Sequence, residues 1–107
     1  MKKADAAFAA LADPTRRRVV ELLGARPHRA GELASALSLS APAMSRHLKA
    51  LKESGLVEET HPEFDARVRI YALRREGLAA LKAWVDRTDA MWAAQLAGFK
   101  AHVEKRR

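Results

Sequence analysis

The residues of this chain best suited to chemistry are cations at helical spacing between Ser40 and Gly55, and they offer recognition of phosphate and base edges rather than bond making. Met44, Leu48 and Leu51 recur at i, i+4 and i+7, a single buried stripe. At 100° per residue, Pro42, Arg46, Lys49 and Glu53 then fall on the far side, with Ser45 and Lys52 beside them. Arg46 is the candidate base reader, because bidentate Arg to the O6/N7 edge of guanine is the commonest specific pairing, worth about 1–3 kcal/mol against a wrong base. Ser45 can reach a base or a phosphate, and Lys49 and Lys52 suit phosphate. The helix start at Ser40 offers free amides to another phosphate. His47 lies nearer the buried edge, where a hydrogen bond to the scaffold and a phosphate contact are both open. Glu53 would repel phosphate and belongs to solvent.

A second cationic group, Arg67 and Arg69, sits in a stretch of β-like alternation that puts Arg67, Arg69 and Tyr71 on one side and Val68 and Ile70 on the other. Glu58, Glu59, Glu63 and Asp65 keep this region from being uniformly cationic. In the run Arg16-Arg17-Arg18, Arg16 lies nearest the buried face of its helix and is expected to pair with an acidic group, while Arg17 and Arg18 point outward. Catalytic constellations are missing: there is no phosphate-cradling glycine loop, no Ser/His/Asp or Cys/His arrangement and no carboxylate pair placed for acid–base work, so the chain reads as no enzyme. The absence of cysteine removes disulfides, thiolate metal sites and cysteine nucleophiles together, and fits a reducing, cytoplasmic setting.

These groups must be positioned by 107 residues, enough for one small domain spanning 1–107. Twenty Lys and Arg against 13 Asp and Glu leave +7, which favours a polyanionic partner: nucleic acid first, with an acidic lipid surface or an acidic protein satisfying the same arithmetic. No apolar run approaches the ~20 residues of a membrane span, so no membrane partner is expected. The start Met1-Lys2-Lys3 reads as mature sequence rather than a signal peptide, since Asp5 interrupts it. Ala occurs 23 times against 10 for Val, Ile and Thr together, a lean towards helix.

Phe8 and Leu11 share a face of a short helix over 4–12 that docks elsewhere. Asp13 and Pro14 supply an N-cap and a first helical position for a second helix ending at Gly24, with Val19, Leu22 and Leu23 buried. Arg26-Pro27-His28 reads as a loop, and Leu33, Ala36 and Leu37 mark the buried face of a third, short helix. Ser40 caps a fourth, in which Pro42 is tolerated in the first turn and Gly55 closes as a left-handed residue, so 30–55 has the helix-turn-helix pattern. Leu56–Thr60 and Val68–Leu73 make a hairpin over 56–73, with an irregular loop from His61 to Ala66. From Gly77 a helix of nearly 30 residues carries Leu78, Leu81, Val85, Thr88, Trp92, Leu96, Phe99 and Val103 at steps of three or four. It overshoots the rest of the core, so its apolar seam is expected to find a second chain, before a basic tail at Lys105-Arg106-Arg107. The fold expected is mainly α with a small β-hairpin (α+β), the winged helix-turn-helix order of elements.

Three strings carry a resemblance: Leu11-Ala12-Asp13-Pro14-Thr15-Arg16-Arg17-Arg18, Ser45-Arg46-His47-Leu48-Lys49-Ala50-Leu51 and Ser54-Gly55-Leu56-Val57. Together, in this order and with a long terminal helix, the chain from Phe8 to Val103 resembles the ArsR/SmtB family of bacterial winged-helix repressors. The resemblance implies a homodimer on double-stranded DNA, with dimerisation through the N-terminal helix and the long helix over 77–105. Phe8, Leu11, Leu78, Leu81, Val85, Met91, Trp92, Leu96 and Phe99 would form the dimer interface. It implies DNA contacts from Ser40, Pro42, Ser45, Arg46, His47, Lys49 and the wing arginines Arg67 and Arg69. Ala41 stands where the family often has a polar residue after the capping Ser.

The family's arsenic ligands would fall on Arg29, Gly31 and Ala34, none able to bind arsenic, and Asp86, Asp89 and His102 do not match the spacing of its zinc site. No metal and no cofactor are therefore expected. The protein would be constitutive or respond to a small molecule or protein effector that the sequence does not identify. Trp84, Met91, Trp92 and Phe99 could line an apolar cleft, but such a stripe is more often interface core. The rival reading is a protein-interaction module whose basic face docks an acidic partner. Arg46 and the Arg67/Arg69 wing favour DNA, being positive on the side that would meet a duplex.

Overall fold

The computed structural model describes residues 2–63, 65 and 67–105. Five helices and three short strands follow in the order α1 (Lys2–Leu11), α2 (Pro14–Ala25), β1 (His28–Arg29), α3 (Ala30–Leu37), α4 (Ala41–Glu53), β2 (Val57–Thr60), β3 (Ile70–Leu73) and α5 (Arg75–Lys105). The strands form one antiparallel sheet in the order β1-β3-β2. The winged helix-turn-helix arrangement is as expected from the sequence.

The helix starts follow from their caps. Asp13 Oδ1 accepts from the amides of Thr15 (2.7 Å) and Arg16 (3.2 Å), satisfying two donors that have no intrahelical acceptor, and Pro14 follows at the first position of α2. Desolvation acts to raise the Asp13 pKa, but these amide bonds outweigh it and hold the carboxyl below its ordinary value. Ser40 Oγ accepts from Ala43 N at 3.2 Å and starts α4 in the same way. At the end of α4, Gly55 has a φ of 83°, the left-handed closing residue the sequence called for.

Several expectations are corrected. α2 does not stop at Gly24 but runs to Ala25 with an extended Arg26 after it, because Gly24 has no left-handed turn to make. His28 is not in a loop: with Arg29 it pairs with Tyr71 and Ile70 as the third strand of the sheet. On α3 the buried partner of Leu33 is Ala34, not Ala36, which is exposed. The strands are shorter than the hairpin over 56–73 implied, and Val68 lies outside them, so the connection is longer than His61–Ala66. Ala66 itself, Arg106 and Arg107 are outside the described residues. Tyr71 turns to the core, only 9% exposed, whereas Ile70 across the pleat is half-buried.

The core gathers Val19 and Leu23 of α2, Leu33 of α3, the Met44–Leu48–Leu51 stripe of α4, and Leu56, Val57 and Tyr71 of the wing. Ala4, Ala7 and Ala10 line the buried face of α1, small enough to let α1 lie close against α5, and Phe8 meets Trp84 edge-on with centroids 5.1 Å apart. The α5 start is pressed onto the α4 end: a Cβ on Gly77 would stand 2.3 Å from the carbonyl oxygen of Gly55. Beyond that contact α5 continues for 31 residues in all, about 46 Å, and stretches the molecule to 70 Å in its longest dimension.

Candidate nucleic-acid interface

With the stripe of α4 fixed in the core, its opposite side is set by helical geometry. Pro42, Ser45, Arg46 and Lys49 are exposed there, as is the capping Ser40. Among the described residues neither Arg46 nor Lys49 has an ion-pair partner, so both keep their donors directed to solvent. His47 is half-buried at the edge of the stripe and accepts a hydrogen bond at Nδ1 from Arg16 Nε at 3.3 Å. The partner of Arg16 is thus a ring nitrogen on α4 rather than the acidic side chain expected. Arg17 points outward as expected, but its guanidinium donates to the carbonyl oxygens of Leu11 (2.7 Å) and Ala12 (3.4 Å), closing the end of α1.

In the wing, Arg67 is 92% exposed at the side chain, and its backbone amide (2.9 Å) and Nε (3.3 Å) both donate to Asp65 Oδ1. Arg69 behaves differently. Its Nη1 donates to both oxygens of Glu59, at 3.1 and 2.9 Å. The same carboxylate accepts from Lys52 Nζ at 3.0 Å and from the Tyr71 hydroxyl at 3.1 Å. The Arg69 guanidinium first, then the Lys52 ammonium, hold the Glu59 pKa down at about 2. Burial, together with the bond to Glu59, raises the Tyr71 phenol above its ordinary range.

The sequence shows Glu59 only as negative charge on the wing, whereas in the fold it is the acceptor on which Lys52, Arg69 and Tyr71 converge. Its signal was the register: Glu59 lies opposite Tyr71 across the β2–β3 ladder, with Arg69 one step beyond the strand. A comparable acidic focus, Glu32, starts α3 by accepting from the Arg29 amide (3.1 Å), Arg26 (3.2 Å) and His28 (3.4 Å).

Residues 11–60, from the end of α1 through β2, match the family described as a helix-turn-helix domain. The HTH-type transcriptional regulator Rv2034 of Mycobacterium tuberculosis is 44% identical over 95 residues, covering 89% of this chain and 83% of that protein. The crystal structure of an ArsR family transcriptional regulator, RHA00566, superposes with a TM-score of 0.76 at 32% identity, covering 85% of this chain and 97% of that one. The chain belongs to the ArsR family of winged-helix transcriptional regulators. The transcriptional repressor SdpR of Bacillus subtilis is a further relative, 36% identical over 52 residues, which is 49% of this chain and 58% of that protein.

As an ArsR-family regulator the chain is not an enzyme. Its surface divides the apolar residues singled out on α1 and α5 into two groups. Leu11, Leu78 and Leu81 are half-buried against the chain's own core, whereas Phe8, Val85, Met91, Trp92, Leu96 and Phe99 are exposed, along with Trp84 and Val103. Asp86 on the same helix is paired with Lys82 at 2.7 Å. Among the described residues no three His, Cys, Asp or Glu side chains lie together as a metal site. No helix of the described residues is long and apolar enough to cross a membrane.

Proposed function

We propose that this ArsR-family regulator acts as a homodimeric repressor that binds a (pseudo)palindromic double-stranded operator without needing a metal. The observation that carries the reading is the two-sided build of α4: Met44, Leu48 and Leu51 are buried on one side, and the other presents Pro42, Ser45, Arg46 and Lys49, with neither cation in an ion pair among the described residues. An α-helix so held fits the major groove. Arg46 reads a base edge, Ser45 a base or phosphate, and Lys49 a phosphate. The α4 start at Ser40 offers amides to the backbone, and Arg67 and Arg69 lie on the flanking wing. His47 orients α4 through Arg16.

The second half of the reading rests on α5. Trp92, Leu96, Phe99 and Val103 recur at three- and four-residue steps and remain exposed, with Met91 beside them, an apolar seam too large to leave in water. A second copy laid against it through α1 and α5 brings the two reading helices about 34–36 Å apart, one turn of duplex. Residues 30–55 are then the reading unit, 56–73 the wing, and 4–12 and 77–105 the dimerisation helices. Metal independence is supported by Arg29, Gly31 and Ala34 at the family's thiolate positions.

The test is a binding selection from random duplexes, followed by sedimentation at micromolar concentration and titration with zinc, arsenite or a chelator. A symmetric site, a dimer and unchanged affinity are expected. A stable monomer overturns the dimer mechanism, and a tenfold change in affinity with metal overturns metal independence.

A further inference from the structure

The exposed cations of α4 run in a row, Arg46, Lys49 and Lys52 at i, i+3 and i+6, and the row ends where the wing begins. At that junction two cations from different elements, Lys52 of α4 and Arg69 beside β3, converge on the single carboxylate of Glu59. Glu59 is 15% exposed at its side chain, whereas Lys52 and Arg69 are 44% and 67% exposed. The carboxylate therefore sits beneath the two cations, with its other side held by the Tyr71 hydroxyl. Both cations keep donors facing outward, since Lys52 spends one of three N–H groups on Glu59 and Arg69 only those of Nη1.

The electrostatic consequence is simple. Two positive charges with one negative charge beneath them present a net +1 to a phosphate backbone. Non-specific affinity for DNA comes almost wholly from such charge, through counterion release, while discrimination comes from base contacts. A carboxylate at the rim of the reading surface thus lowers affinity for any duplex and leaves the Arg46 contact untouched.

We propose that Glu59 is a specificity-determining positioning residue, which ties the end of α4 to the wing and withholds one positive charge from the DNA backbone so that non-specific duplex is disfavoured relative to the operator. The proposal rests on the DNA-binding reading above. It differs from a purely architectural role for Glu59 in what it requires of salt dependence. An architectural carboxylate, once replaced, weakens binding or folding without adding a counterion to the count.

The experiment measures affinity against salt concentration for a duplex selected from random sequence and for poly(dI-dC), with the full chain and Glu59→Gln. Glu59→Gln is expected to steepen the log K against log salt slope on poly(dI-dC) by about 0.9. It should tighten that binding about eightfold at 0.1 M salt, taking the added contact as neutral at 1 M. The ratio of selected to non-specific affinity falls. Adding Lys52→Gln to Glu59→Gln restores the wild-type slope, and Glu59→Asp, which keeps the charge, leaves it unchanged. Lys52→Gln alone, on an exposed helix face, lowers the slope by about 0.9, and Glu59→Thr, a neutral residue suited to a strand, carries the same test if Glu59→Gln does not fold. An unchanged slope in Glu59→Gln, or in Glu59→Thr where Glu59→Gln does not fold, overturns the role of Glu59 while leaving the DNA-binding reading intact. Failure of the wild-type chain to bind any duplex overturns both.

Discussion

Arg16 on α2 donates its Nε–H to Nδ1 of His47 on α4 at 3.3 Å, joining the two helices through side chains 31 residues apart. The bond requires an unprotonated Nδ1, which places the ring proton of a neutral His47 on Nε2, the nitrogen left free to donate. Arg16 is itself in the first turn of α2, whose cap at Asp13 fixes where the side chain departs. A double-mutant cycle of Arg16→Ala and His47→Ala in urea unfolding is expected to give a coupling of about 0.5–1.5 kcal/mol, the net worth of one part-buried hydrogen bond. Strictly additive losses would show that the contact contributes nothing to holding α4.

The Glu59 carboxylate makes stability depend on acid in a defined window. Its pKa is held at about 2 in the folded chain against an ordinary 4.5, first by Arg69 and then by Lys52. A group with a lower pKa folded than unfolded binds fewer protons when folded. Its contribution is complete above about pH 4.5 and is lost as pH falls towards 2. The melting temperature of Glu59→Gln should therefore lie below that of the wild type at pH 6 and approach it as the pH is lowered through this range. A gap that stays constant from pH 6 to pH 2.5 would mean that the charge of Glu59 is not what stabilises the wing.

Two glycines of α5 should respond to alanine with opposite signs. At Gly77 an added Cβ would meet backbone, 2.3 Å from Gly55 O and 3.0 Å from the Leu56 Cα, and neither can rotate away as a side chain could. Gly77→Ala is expected to cost about 1–3 kcal/mol or more, by forcing α5 off the end of α4. At Gly98 nothing lies within 4 Å of the added carbon, and the residue is in the middle of a helix, so Gly98→Ala should stabilise by up to about 1 kcal/mol. Thermal melts of the two variants decide it, and equal shifts would contradict the contact between Gly55 and Gly77.

What could be read in the sequence was what depends on local spacing. Met44, Leu48 and Leu51 define the inside of α4 by period alone, Asp13 and Ser40 announce helix starts through their own side chains, and Gly55 marks a backbone turn that other residues resist. Apart from the end of α2 and the buried face of α3, the differences fall where a residue's role depends on a partner distant in the chain. β1 is two residues long and exists because Tyr71 and Ile70 lie beside it, so nothing in Arg26-Pro27-His28 distinguishes it from a loop. The alternation grouping Arg69 with Tyr71 holds in that both reach Glu59, but that side turns inward at Tyr71, because the β2–β3 register sets Tyr71 over Glu59 and beside the core. Charge alone predicts an acidic partner for Arg16, whereas the packing of α2 on α4 offers it an imidazole. The Glu59 cluster draws on α4, β2, β3 and the wing loop, and no spacing along the chain brings those together.

Arg46 and Lys49 stand one turn apart on the open side of α4, both exposed and both without an ion pair among the described residues, yet their chemistry separates them. A planar guanidinium can match two acceptors on one guanine, so its loss removes discrimination at one base pair. An ammonium is a point charge that suits any phosphate. Arg46→Ala should cost about 1–3 kcal/mol on the selected site and relax preference at a single position of each half-site, with little change on duplexes already altered there. Lys49→Ala should weaken binding to all sequences by a similar factor and reduce the salt slope by about one. The measurement is a matrix of both variants against single-base-pair changes across the selected site. If both variants lose the same affinity on every duplex, Arg46 reads no base, and specificity must come from other α4 side chains or from the shape of the DNA.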